Sequence, residues 1–125
     1  MIAVDPKKDF EYVLVKDRKS PIDKQTVFLI HPLTLAECNI IEDYLSKAAT
    51  ENKFPLGTVK CMRLRMGLKG WRNFKDSKGA EVKFEKAEDG MVKEELLERL
   101  YPEDRTELAN EIWQFTEITE EDEKN

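Results

Sequence analysis

The residues of this chain that could carry out chemistry are one histidine, two cysteines and many carboxylates. His31 stands before Pro32 with no Cys or His at metal-ligand spacing, so it does not predict a metal site. A catalytic nucleophile would need Cys38 or Cys61 beside that histidine, but both cysteines lie among apolar residues of expected helices. We expect the two thiols to be reduced and buried, with a disulfide as the alternative.

The carboxylates and glycines do not form a recognisable active site either. The acidic groups within 94–98 and 103–107 are typical of solvated helix faces, whereas an acid–base pair needs burial to separate its two pKa values. Gly67 and Gly70 lack the spacing and the Lys-Ser/Thr ending of a phosphate-binding loop. We therefore expect a protein that is not an enzyme and that uses no metal or other cofactor.

Size and composition indicate one soluble domain. A chain of 125 residues, 40% hydrophobic and 38% charged, is large enough for a single core. No apolar run approaches the length of a membrane span, and the N-terminus lacks the apolar segment of a signal peptide. We expect no membrane contact, a cytoplasmic location, a globular domain over 1–118 and a disordered acidic tail over 119–125.

Charge is distributed unevenly along the chain. The net charge is −1 over 1–59, +6 over 60–80 and −10 over 81–125, which gives the total of −5. This separation is explained either by a basic docking surface or by an acidic end that lies over the basic helix. Nucleic-acid binding is unlikely because the chain is acidic overall, with a pI near 5.1.

Periodicity and turn signals predict an α+β fold that is mostly helical. The predicted elements are strands about 10–15 and 26–31, helices about 35–49, 58–69, 91–101 and 103–117, and a β-hairpin about 71–84. Thr34 and Glu37 form a capping box for the first helix. Thr58 is the expected N-cap of the second helix, Gly70 its left-handed C-cap, and Pro102 the start of the last helix.

The first two predicted helices differ in their apolar pattern. In helix 35–49 the apolar residues share one broad arc, which predicts a single buried face made of Cys38, Ile40, Ile41, Tyr44, Leu45 and Ala48. A second such arc, over 108–116, is expected to pack against this face or against the strand pair. Helix 58–69 instead carries two apolar stripes separated by basic residues, Val59/Met62/Met66 and Cys61/Leu64/Leu68.

One small domain seldom buries both stripes, so we expect one of them to contact a partner and the chain to be a homo-oligomer. Trp71 and Phe74 follow the basic helix at once and are either core residues or interface anchors. The residues that we expect to bind a partner are Arg63, Leu64, Arg65, Met66, Lys69, Trp71, Arg72 and Phe74.

A series of short motifs follows the second helix, in the order Gly70-Trp71-Arg72-Asn73-Phe74, Asp76-Ser77-Lys78-Gly79, Val82-Lys83-Phe84, Leu96-Leu97 and a Leu-rich helix over 108–115. Together with the Thr-Glu-Glu-rich end of the chain, this order resembles the tail assembly chaperones of tailed bacteriophages, or a closely related small tail-morphogenesis protein. The resemblance covers about 58–123, roughly half of the chain.

The resemblance implies a non-enzymatic protein of the infected host's cytoplasm that binds other phage tail proteins. Chaperones of this group help the long tape-measure protein and the tail-tube subunits to assemble, and they leave before the particle is finished. Two alternatives stay open. The chain could be a small structural component of the virion tail or neck, or a nucleic-acid-binding accessory protein.

Overall fold

The computed structural model describes residues 1–2 and 8–124, with side chains up to Glu117. The predicted α+β class is confirmed, since helices pack with a three-stranded antiparallel sheet in one small domain. The strands are β1 (Phe10–Tyr12), β2 (Val27–Ile30) and β3 (Leu68–Arg72). The helices are α1 (Leu35–Thr50), α2 (Leu56–Gly67), α3 (Glu94–Leu97) and α4 (Pro102–Lys124).

The sheet has the order β1-β2-β3, with β2 in the centre. The predicted N-terminal strand pair is present, and Tyr12 lies opposite Phe28. Along β2, Phe28 and Ile30 are buried and their neighbours are partly buried, which is the alternation expected of a strand with one face on the core. The first strand ends at Tyr12 rather than at residue 15, because the chain turns into a short 3₁₀ helix at Val15–Asp17.

The structure corrects the predicted course of residues 56–72. Helix α2 begins at Leu56 and ends at Gly67, instead of spanning 58–69, and Thr58 is not its N-cap. Gly70 does not end a helix but lies inside β3, a strand that pairs with β2 in place of the predicted hairpin. A side chain at Gly70 would meet Leu29 Cδ1 at 3.3 Å, so the glycine serves close packing between neighbouring strands.

Residues 73–101 are less regular than predicted. The expected 71–84 hairpin is reduced to a single β-bridge between Lys75 and Glu81. Its turn is correct: the Gly79 N–H donates to the Asp76 carbonyl, 3.0 Å, and Gly79 has a φ of +82°. The expected 91–101 helix is reduced to the single turn of α3.

Helix α4 is the longest helix that the structure describes, and it packs mainly on α2. Within the predicted arc, Leu108, Ala109, Ile112 and Thr116 are buried, and Trp113 and Phe115 are partly buried. Phe115 of this arc stacks on Phe10 of β1, with ring centroids 4.6 Å apart, so the arc meets the strand pair as expected, although α4 packs mainly on α2. A Cβ at Gly67 would stand 2.5 Å from Ile112 Cγ2, so the Ile112 side chain packs directly on the backbone of α2 there.

Helix α4 begins at Pro102 as predicted and continues through Lys124, beyond the expected end near residue 117. Its first turns bind the segment after β1. Lys16 Nζ donates to Asp104 Oδ2 at 2.6 Å, and the Tyr12 hydroxyl donates to Glu107 Oε2 at 2.6 Å. The disordered tail predicted over 119–125 lies outside the residues with described side chains and stays a prediction.

Candidate functional site: a groove between three helices

The residues predicted to bind a partner do not form one surface. Leu64, Met66 and Trp71 are buried, with 1%, 6% and 9% of their surfaces exposed. Arg63, Arg65, Lys69 and Phe74 are partly buried, and only Arg72 is fully exposed. The prediction that these eight residues act together as a binding surface is therefore not supported by their positions.

Trp71 is the centre of an aromatic cluster inside the domain. Its indole Nε1–H donates to the Val82 carbonyl at 2.6 Å. Its ring makes edge-on contacts with Phe28, Phe74 and Phe84, at centroid distances of 6.3, 5.1 and 4.9 Å. The Gly-Trp motif and the segment that ends in Phe84 are thus brought together to build the core, and Trp71 is not an interface anchor.

Two of the predicted arginines form ion pairs within the chain. Arg65 lies 3.0 Å from Asp89 Oδ2 and donates its Nε–H to the Val92 carbonyl, which fixes the segment before α3 against α2. Arg72 makes two hydrogen bonds to the Glu11 carboxylate and holds the pKa of that carboxyl below its usual range. The ion pair between Arg65 and Asp89 joins the basic helix to the acidic C-terminal part of the chain. It agrees with the explanation in which the acidic end lies over the basic helix.

Arg63 is held in a different way. Its guanidinium carbon lies 4.4 Å from the centroid of the Trp113 ring, a cation–π contact, and its Nε is buried without a hydrogen-bond partner. Burial lowers the pKa of Arg63, although the guanidinium stays charged at neutral pH. Arg63 therefore joins α2 to α4 rather than presenting a free cation to a partner.

The two apolar stripes of α2 are both largely covered by the chain itself. Val59, Met66 and Leu64 are buried in the helix, and Leu68 is buried in β3. Met62 and Cys61 are partly buried. The premise that one stripe is left exposed is therefore wrong, and self-association stays a prediction without that support.

A groove of about 390 Å³ opens where α2 faces α3 and the start of α4. We call it the α2 groove, and its lining residues are Gly57, Lys60, Cys61, Leu64, Glu94, Leu97, Glu98, Pro102 and Arg105. Its floor is formed by two buried apolar residues, Leu64 of α2 and Leu97 of α3. Two basic and two acidic side chains form its rim. An apolar floor with a mixed charged rim is the usual character of a site that takes a peptide or a small apolar group.

Two polar groups in the α2 groove differ from those of an ordinary surface. Arg105 Nε is buried without a hydrogen-bond partner. Burial, with the nearby Glu94 carboxylate, raises the pKa of the Cys61 thiol. A thiol with a raised pKa is a weak nucleophile at neutral pH, so the groove has the properties of a binding site rather than of a cysteine-based catalytic site.

The other residues considered for chemistry lie apart from the α2 groove. His31 Nδ1 is 2.9 Å from Asp9 Oδ1, where β2 ends and β1 begins. In the part of the chain that the structure describes, no three His, Cys, Asp or Glu side chains converge as metal ligands. Within the same residues, no helix has the length and apolar character needed to cross a membrane.

The sequence indicated only part of the α2 groove. Leu64 was predicted to contact a partner, and the stripe that it shares with Cys61 provides part of the floor. Leu97 and Arg105 were missed, because nothing local in the sequence shows that α3 folds back beside α2. The opposite charges of α2 and of the residues after 88 could have predicted that these two segments lie together, because Arg65 and Asp89 form an ion pair between them.

Comparison with known proteins found no match: no family model, no curated protein and no solved structure is similar to the chain.

Proposed function

We propose that this protein is a non-enzymatic binding protein that holds a segment of another protein in the α2 groove. The observation that carries the proposal is the groove itself, in which an apolar floor from α2 and α3 is surrounded by charges of both signs. An extended or helical segment with one apolar side and polar flanks would bury its apolar side there and keep its polar groups in water.

We further propose that the bound segment belongs to a phage tail protein, and that the chain acts in the host cytoplasm as a tail assembly chaperone. The resemblance to that group supports this step, and the structure gives its motifs a physical reason. The Gly-Trp motif, the Asp76–Gly79 turn and the segment that ends in Phe84 belong to one folded unit around Trp71. Tape-measure and tail-tube proteins are the partners that this proposal names.

The internal use of the basic residues weighs against nucleic-acid binding. Arg63, Arg65 and Arg72 are each engaged by an aromatic ring or a carboxylate of the same chain. A nucleic-acid interface would need several such cations free to meet phosphates on one face.

Co-expression with the tape-measure protein of the same phage tests the proposal. We expect this chain to raise the soluble fraction of that protein. Gly57→Trp should abolish the effect, because Gly57 lines the groove and a Cβ there would meet no heavy atom within 4 Å, so the added side chain starts in open space rather than in the packed core. Thr58→Trp is the matched control, since Thr58 is exposed in the same helix turn and does not line the groove.

Three results would contradict the proposal. Wild-type chain that leaves the solubility of both the tape-measure and the tail-tube protein unchanged would remove the chaperone role. Equal effects of the two tryptophan variants would remove the α2 groove as the binding site. Stoichiometric copies of this chain in purified virions, measured by mass spectrometry, would instead establish the structural-component alternative.

A further inference from the structure

The short turn between α1 and α2 exposes large apolar side chains. We call residues 51–56 the helical tip. Phe54 is 82% exposed and Leu56 is 74% exposed, on either side of Pro55. Tyr44 of α1 is also exposed near this end of the helix pair. Single exposed apolar residues are common, but a group of large ones at one end of a domain is typical of an interaction site.

The backbone of the helical tip is fixed by its own hydrogen bonds. Asn52 has a φ of +58°, and the N–H groups of Asn52 and Lys53 donate to the carbonyls of Ala49 and Ala48. These two bonds form a Schellman motif, the usual way to satisfy the last carbonyls of a helix. The backbone therefore leaves α1 in a defined direction.

An inverse γ-turn follows directly. Pro55 has φ −80° and ψ 67°, and the Leu56 N–H donates to the Phe54 carbonyl at 2.9 Å. Because both turns are hydrogen-bonded and Pro55 has a fixed φ, Phe54 and Leu56 cannot reach the core by a small local change. Their exposure is a fixed property of the turn, and a partner that covered them would pay little ordering entropy.

A cleft of about 290 Å³ lies beside these projecting side chains. It is lined by Tyr44, Lys47, Ala48, Glu51, Lys53 and Pro55. The cleft therefore combines apolar surface with two lysines and one glutamate. Glu51 Oε2 and Lys53 Nζ are 3.4 Å apart, and both side chains are at least half exposed. Their mutual attraction is therefore weak, and both charges can pair with another molecule.

We infer that the occupant of this cleft is a second copy of the chain. A projecting aromatic residue and an apolar cleft lie side by side on one patch, and such a patch is complementary to itself across a two-fold axis. In this arrangement Phe54 of each copy enters the cleft of the other, and Glu51 of each copy meets the lysines of its partner. This contact goes beyond the proposed function, because it uses neither the α2 groove nor any residue that lines it.

The small size of the helical tip sets the strength of the association. A contact made by one turn and one helix end buries less area than the interfaces of stable dimers. We therefore expect a reversible monomer–dimer equilibrium, carried mainly by Phe54 as a central aromatic anchor.

Analytical ultracentrifugation of the full chain over micromolar to millimolar concentrations tests this inference. The average mass of the wild type should rise from 14.6 kDa towards twice that value. Phe54→Ser should remain monomeric at every concentration. Ile22→Ser is the matched control, because Ile22 is 87% exposed and lies outside the helical tip and its cleft, and this variant should associate like the wild type. Circular dichroism should show that both variants fold.

A charge exchange tests the geometry of the pairing. Glu51→Lys should weaken association by placing only lysines across the interface, and the added Lys47→Glu change should restore it. A wild type that stays monomeric at all concentrations would overturn the inference. So would equal association of the Phe54→Ser variant and the wild type, or loss of association in the Ile22→Ser control.

Discussion

Helices α1 and α2, which join at the helical tip, are buried to different extents, and the difference is opposite to the one that their apolar patterns suggest. Helix α1 has the clearer amphipathic pattern, yet Ile40 and Tyr44 of its predicted buried arc are 53% and 37% exposed. Helix α2 has its apolar residues spread over two stripes, yet Leu64 is 1% exposed and Met66 is 6% exposed. The apolar pattern of a helix indicates which residues can be buried, but the neighbouring elements decide which of them are.

The connections of the two helices explain this difference. Helix α2 continues into β3 without a loop, so its end is held at the sheet, while α4 runs along another side. Helix α1 leaves β2 through a short extended segment, and its main contact with another helix or strand is with α2. The residues of α1 that are buried are Ile41 and Ala48, so α1 is covered only along a narrow stripe.

Shortening one apolar side chain in each helix should give the largest difference in the free energy of unfolding. Leu64→Ala is expected to lower the free energy of unfolding by about 2–5 kcal/mol, because it leaves a cavity in the packed core. Ile40→Ala should change that free energy by less than about 0.5 kcal/mol, because its side chain is half in water. Urea denaturation of the two variants measures both values. Similar losses would mean that α1 is covered as completely as α2.

The glycines at the two ends of α2 provide a sharper comparison. Gly67→Ala should destabilise the protein by roughly 1–3 kcal/mol, because its new methyl group overlaps Ile112 in a core with no free space. Gly57→Ala should stabilise it by about 0.5–1 kcal/mol, because alanine favours the helix and the site is open. Thermal unfolding of both variants measures the signs. A stabilising Gly67→Ala change would show that α4 can move away from α2.

These features also explain how far the sequence could predict the fold. The class, the N-terminal strand pair and α1 were predictable because they depend on local alternation, on a helical period and on a capping box. Strand β3 was not, because Leu68 continues the apolar spacing of α2 and its pairing with β2 is a non-local contact. A helix that becomes a strand within one residue gives no turn signal.

The α2 groove was predicted less well than the fold, for a related reason. Its floor combines Leu64 with Leu97, two residues that approach each other only because α3 folds beside α2. Charge and aromatic content pointed instead to residues 63–74, where the chain uses its cations and rings internally. Charged and aromatic residues often find their partners within the same fold, so residue type alone did not locate the α2 groove.

The starts of the two helices provide the last and smallest test. Thr34 accepts a hydrogen bond from the Glu37 N–H at 3.2 Å, and Glu37 Oε1 accepts one from the Thr34 N–H at 2.9 Å. Thr34→Ala should therefore cost about 1 kcal/mol, the usual loss on removing an N-cap. Thr58→Ala should cost almost nothing, because Thr58 lies inside α2 and caps nothing. Denaturation in urea under identical conditions compares the two variants. If Thr58→Ala had the larger cost, α2 would begin at the position that the sequence predicted, and Phe54 and Leu56 would lose the fixed turn that exposes them.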